Sequence, residues 1–478
     1  MNHIGRTNAK AALTLLCTAQ MMILTDTSIV HVALPSIGDA LGASAAELQW
    51  VVTAYTLLFG GCMLIGGRAG DLLGMRRMLM AGMTVFTLAS MLGGWAQSEA
   101  TLIAARALQG LGAALLAPSV VSLASVLFPE GPERYRALGA IGAVNAVGFS
   151  LGLLLGGSLT EAFGWPSVFF VNVPFGIAFL ALAPRLLPDN PVRRQPLDVQ
   201  GAAAATAGLT MFVLAFSLAD AHGLLSAPVG LLLAGAAGLL ALFVRIERRA
   251  DYPMVPLRLF GNRGLVGANA ATVVFGAVIA PMFFFLTFYL QNVLGFDSLS
   301  TGLAFLPHSL LVWIATGIAS KAVARHGARR VLLCGMTAFG MGFAWLTFIT
   351  PERGYWTAVL PGTLLVGLGV ATVVVAGVIA ATSDVGQQEQ GLASGLWNTA
   401  IPVGSSIGMA ASSLAVELRV ERLAAQAEPA LAYVEGIRAS FFLALVFVAI
   451  GFVSVYALMN RTKRETAKAA KRGASAVP

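Results

Sequence analysis

Two charged residues stand inside stretches that are otherwise apolar. Asp26 lies in a run that starts near Ala11 and closes on Leu34-Pro35, and Arg106 lies in another that starts near Thr101. The first run is about 24 residues long, enough to cross the ~30 Å hydrocarbon core of a bilayer as a helix. A carboxylate at such depth must be protonated, paired or wetted, which makes it a functional candidate. Helical rise puts Asp26 about 13 Å and Arg106 about 10 Å from the outer ends of their runs, similar depths. If the two helices face each other, the Arg charge favours the ionised acid and desolvation favours the protonated one. That balance suits reversible proton carriage by Asp26, tuned by Arg106. Of the 22 acidic residues, only Asp26 falls well inside a span. Arg106, Gln109, Gly110 and Ala113 share one helical face, a polar seam flanked by small residues.

The elements that must position this pair are helices in a membrane. The chain has 478 residues, 57% hydrophobic and 11% charged, against about 25% charged in soluble domains. Apolar runs recur along nearly its whole length, without the alternation of a barrel. We read fourteen spans: 11–34, 48–67, 78–96, 101–126, 137–159, 167–187, 200–219, 226–244, 264–290, 300–320, 331–349, 356–380, 391–416 and 439–459. The first run is too long for a cleaved signal peptide. Cys17, Cys62 and Cys334 fall in spans and read as small core residues.

Most of the 30 Lys and Arg residues fall in alternate connections and in the tail from Arg461 to Arg472. The opposite connections hold only Arg353, Arg419, Arg422 and Arg438. By the positive-inside rule both termini are expected in the cytoplasm of a multi-pass cell-membrane protein. The net charge of +8 then needs no nucleic-acid partner. Gly74-Met75-Arg76-Arg77 after the second span is echoed by Gly327-Ala328-Arg329-Arg330 after the tenth. The expected organisation is therefore a six-helix bundle over 1–190, a two-helix insert with linkers over 191–262, and a second six-helix bundle with a basic tail over 263–478. Two parallel six-helix repeats are a transporter plan, with the substrate between them.

Gly66-Gly67-Arg68-Ala69-Gly70-Asp71-Leu72-Leu73-Gly74-Met75-Arg76-Arg77 resembles the loop signature of the major facilitator superfamily, with Asp71, Gly74 and Arg76 matching. Ala324 stands where a second copy would place the acid. Arg106 to Ala114 closely resembles the family's fourth-span signature, in which the Arg is associated with proton coupling. Gly148, Gly152 and Gly156 recur every four residues, followed by Gly157, and bare one helix face for close packing. The stretch resembles the antiporter signature of exporters, with Leu153 in place of its proline. Gln49-Trp50-Val51, Leu34-Pro35, Asn172-Val173-Pro174-Phe175-Gly176 and Phe288-Tyr289-Leu290-Gln291 are similar to the fourteen-helix drug:proton antiporters; Trp165-Pro166 departs from the usual Trp-Arg.

The resemblance implies an all-α membrane protein of the major facilitator fold that exports amphipathic organic compounds such as drugs or antibiotics while protons enter. It implies no cofactor, no metal and no bond-making chemistry, and a functional monomer. Asp71, Gly74 and Arg76 would form a conformational switch. Polar and aromatic residues within spans are candidates for the substrate cavity: Tyr55, Gln109, Asn145, Phe284, Tyr289, His308, Trp313, Trp397 and Asn398. Leu153 leaves a proton-coupled importer or facilitator of a small metabolite open. An intramembrane enzyme would need paired carboxylates, a metal-ligand cluster or a Ser-His pair in the spans, and an ATP-driven pump a phosphate loop; neither pattern is present.

Overall fold

The structure, a computed structural model, describes residues 6–128, 132–188, 199–222, 226–250, 257–382, 390–423 and 428–474. Sixteen α-helices make up almost all of it: α1 (Arg6–Leu41), α2 (Ala45–Leu73), α3 (Met75–Gly94), α4 (Glu99–Leu127), α5 (Pro132–Phe163), α6 (Ser167–Phe170), α7 (Asn172–Leu186), α8 (Val199–His222), α9 (Ala227–Glu247), α10 (Arg263–Phe288), α11 (Ser298–His326), α12 (Ala328–Leu346), α13 (Tyr355–Ala358), α14 (Leu360–Thr382), α15 (Gln390–Leu423) and α16 (Pro429–Ala474). There is no strand among the described residues. Every expected span falls on a helix, but two are broken: α6 and α7 share one, α13 and α14 another. Among the described residues, ten segments are long and apolar enough to cross a membrane by length and composition.

Side-chain exposure has the pattern that lipid permits. Phe442, Val446, Ile450 and Val453 of α16 are all exposed, one apolar stripe at helical spacing. Cys334 lies exposed on α12 rather than in the core, because a helix in lipid can turn apolar residues outward without cost.

The chain separates into two compact units. One comprises residues 1–254, 282–310 and 409–414; the other comprises 255–281, 311–408 and 415–478. In the first, α2 begins with a capping box: Glu47 accepts hydrogen bonds from the Ser44 backbone N–H and hydroxyl, satisfying a helix-end donor. Those bonds hold the exposed Glu47 carboxyl below its usual range. Gly74, at φ +97°, closes α2 with an N–H bond to Gly70 O and opens α3. Gly327, at φ +81°, makes the corresponding turn between α11 and α12, so the repeated Gly-x-Arg-Arg is a repeated backbone reversal that favours glycine.

Helix α5 packs on α1, and α15 on α10, through glycine. A Cβ at Gly152 would strike Thr25 O and Ser28 Oγ of α1, and one at Gly156 would lie 2.5 Å from Ile29 O. In the second unit, Cβ atoms at Gly404 and Gly408 of α15 would strike Val273 O and Ala277 O of α10. Thr25 Oγ1 donates to Gly148 O at 3.1 Å across the first contact. Gly156→Ala is expected to destabilise the purified protein by about 1–3 kcal/mol, the usual cost of overpacking. Gly238→Ala in α9 meets nothing within 4 Å and should stabilise by about 0.5–1 kcal/mol. Thermal unfolding in detergent compares them; equal midpoints would remove the close-packing argument.

Candidate functional site

The site grows from the approach of α4 to α2. Gly110 sits against the Tyr55 backbone so closely that a Cβ there would overlap Tyr55 O. One turn away, the same approach lets Arg106 Nε donate to Val51 O at 3.1 Å. The guanidinium carbon lies 4.3 Å from the centroid of the Tyr55 ring, a cation–π contact in a dry setting. Tyr55 is itself tethered by its hydroxyl to Ile23 O of α1 at 3.4 Å.

Asp26 of α1 enters this seat. Its Oδ2 accepts from Arg106 Nη1 at 2.6 Å, and Oδ1 accepts from Gln109 Nε2 at 2.9 Å and from Asn172 Nδ2 of α7 at 2.8 Å. The side chains of Arg106 and Asp26 are 1% and 0% exposed, so this is an ion pair removed from water, affordable only when its remaining polar atoms are also satisfied. They are satisfied here: Arg106 Nη1 also donates to Gln109 Oε1 at 2.9 Å, and Gln109 Nε2 donates to Ser90 Oγ of α3 at 2.8 Å. Four helices, α1, α2, α4 and α7, thus meet on one carboxylate and one guanidinium, and α3 joins through Gln109.

The sequence of α7 explains how Asn172 arrives. The chain breaks at Val171, so Asn172 is the first residue of a new helix. Pro174 falls in that helix's first turn, where its missing N–H costs nothing. Gly176 then packs so tightly on Thr87 of α3 that a Cβ would overlap the Thr hydroxyl. The motif quoted above for its resemblance is thus a device that lays the start of α7 beside Asp26.

Other expected site residues fall elsewhere. His31 and His308, both buried, flank Phe283 with ring centroids 6.4 and 5.5 Å from it. His31 Nδ1 has no hydrogen-bond partner among the described residues. Phe284 packs edge-on against Phe285 and tilted against Phe288, with ring centroids 5.1 and 5.0 Å away, and Tyr289 is buried at the start of a π-helical turn. Gly157 faces Ser298 O of α11, and Arg76 Nη2 donates to Pro184 O at 3.0 Å. In the second unit Trp397 is buried, its Nε1 without a partner among the described residues, and Asn398 is half-buried. Trp313 is exposed with Leu310, Ile314 and Ile318 on one face of α11, a surface suited to lipid. The side chains of Asp71 and Asn145 lie outside the described residues. No group of three or more metal-ligating side chains forms among the described residues.

The sequence reading did not place Asn172, Ser90 or the Val51 carbonyl at the site. Asn172 carried a signal, as a polar residue in the apolar run between Ser167 and Arg185; Ser90 carried a weaker one, and a backbone carbonyl carries none.

A family model described as Major Facilitator Superfamily matches residues 16–321 and 270–478. A cephamycin export protein of Amycolatopsis lactamdurans is 45% identical over 417 residues, 85% of each chain. A puromycin resistance protein of Streptomyces alboniger is 38% identical over 404 residues, 83% of this chain and 80% of that one. Among solved structures, a POT family transporter superposes with a TM-score of 0.68 over 95% of this chain and 98% of that one. At 14% identity that likeness speaks to fold alone.

Proposed function

The chain belongs to the major facilitator superfamily, and from that premise we propose that it is a proton-coupled exporter of amphipathic organic compounds, antibiotics among them. The observation that carries the reading is Asp26: a carboxylate with no exposure, paired with Arg106 and reached by donors from two helices. Such a group in a membrane helix has proton relay as its most economical use. The names of the two relatives support export of antibiotics as the cargo.

In this reading the protein lies in the cell membrane with fourteen spans, both termini in the cytoplasm, and works as a monomer. Asp26 is the proton carrier and Arg106 its fixed partner. The turn at Asp71, Gly74 and Arg76 is the conformational switch: Gly74 supplies the reversal and Arg76 ties α3 to the end of α7. Substrate contact falls to the buried polar and aromatic side chains near α1 and α10, including Tyr55, His308, Phe284 and Tyr289. Alternating access then exchanges a proton for an organic molecule with no covalent change in either.

Inverted vesicles from expressing cells test the proposal, with puromycin and a cephamycin as probes. Vesicles acidified inside are expected to take up at least one of them, and an uncoupler should collapse the uptake. Equal uptake without any ion gradient would replace antiport with facilitated diffusion, and uptake of neither probe would remove antibiotic export.

A further inference from the structure

The cluster around Asp26 is fully bonded with the acid ionised, because every described partner of the carboxylate is a donor. Proton carriage, however, requires a second state in which Asp26 holds an O–H. A buried O–H without an acceptor is costly, so some neighbour must change from donor to acceptor. Arg106, from α4, has no acceptor at all. Tyr55, from α2, lies over the guanidinium and donates its hydroxyl to Ile23 O. His31 lies more than a turn further along α1 and packs on Phe283 of α10. The described contacts with α5 are made through the Gly148 carbonyl and the bare glycine face.

Gln109 and Asn172 are the two amides that bond Asp26 among the described residues, and they are not equivalent. Gln109 is held at both ends: Oε1 accepts from Arg106, and Nε2 donates to Ser90 as well as to Asp26. Turning it over would set its NH2 against the Arg106 N–H and break the bond to Ser90. Asn172, buried at the first position of α7, makes one described side-chain hydrogen bond, the 2.8 Å bond to Asp26 Oδ1. Rotation of its amide exchanges O for N in the same place and breaks nothing else.

We infer that Asn172 is the two-way partner of the proton site: its Nδ2 donates to ionised Asp26, and after an amide turn its Oδ1 accepts the proton that Asp26 has taken up. The inference rests on Asp26 as the carrier. Asn172 is a positioning residue in this scheme, since it stabilises both protonation states and keeps α7 attached to α1 in each. Protonation then requires neither the loss of Arg106 nor movement of Gln109.

Infrared difference spectroscopy of the purified full-length protein, between alkaline and acid buffer, tests this without any substrate. The wild type should show the C=O band of a buried carboxylic acid, and Asp26→Asn should remove it. Asn172→Leu should keep the band but move it to higher wavenumber, because the O–H has lost its acceptor. Asn172→Ser, whose hydroxyl both donates and accepts, should bring it back toward the wild-type position; Asn172→Val serves as the apolar replacement if the Leu variant does not fold. A band that stays in place in the apolar variant would overturn the role of Asn172 and leave Asp26 as carrier. A band that survives Asp26→Asn would overturn the carrier reading itself.

Discussion

Asp26→Asn is expected to abolish proton-driven accumulation while leaving substrate binding measurable. The replacement keeps the shape of the carboxyl and can still accept from Arg106 through Oδ1, but it can neither hold nor release a proton. Its NH2 would meet two donors, Gln109 Nε2 and Asn172 Nδ2. Asn172 can turn its oxygen to it, so one clash relaxes and the fold survives. The measurement is uptake into vesicles reconstituted with the purified variant and given a proton gradient alone, beside equilibrium binding of the same probe. Uptake should fall to that of protein-free vesicles, with binding largely insensitive to pH. Concentration of the probe against its gradient by this variant would end the scheme. Asp26→Glu should retain part of the activity, because it keeps the acid while forcing one more methylene into a fully buried seat.

Removing Arg106 is expected to have the largest effect on stability. Arg106→Leu leaves Asp26 buried without its counter-charge, a change worth about 3–5 kcal/mol when one partner of a buried pair is deleted. The Val51 carbonyl and the Tyr55 ring lose their partner in the same step. Arg106→Lys should recover little, since one ammonium cannot reproduce the Nε bond to Val51 together with the Nη1 bonds to Asp26 and Gln109. The double variant Asp26→Leu with Arg106→Leu removes both charges and should be more stable than Arg106→Leu alone. Thermal unfolding of the wild type, Asp26→Leu, Arg106→Leu and the double variant forms a double-mutant cycle. If the double variant is no more stable than the single one, the pair is not coupled and the buried cluster does not hold α1, α2, α4 and α7 together.

Much of this centre was legible because helical rise is fixed. Counting along two spans put Asp26 and Arg106 at similar depths, and the face shared by Arg106, Gln109 and Gly110 followed from helical periodicity alone. That the two faces meet depended on Gly110 lying against Tyr55 and on the glycines of α5 lying against α1, tertiary facts that one chain's pattern does not state. Asn172 was seen only as part of a resembling motif, since a lone amide at a helix start has many uses. The breaks at Val171 and Val359 carried a signal in Pro174 and Pro361, each in the first turn of the next helix. Trp313 shows the opposite limit: an aromatic residue within a span suits lipid as well as a cavity, and composition does not choose between them.

Arg106 keeps three partners that do not depend on the state of Asp26: the Val51 carbonyl, Gln109 Oε1 and the Tyr55 ring. In the proposed cycle the guanidinium therefore stays seated when the acid is neutralised. The cluster then changes from electrically silent to singly positive, and the electric field across the membrane acts on it only in the protonated form. A full crossing of one charge is worth about 2.3 kcal/mol per 100 mV. The substrate-free return of the carrier becomes the stroke on which membrane voltage works, and the loaded stroke carries only whatever charge the cargo brings.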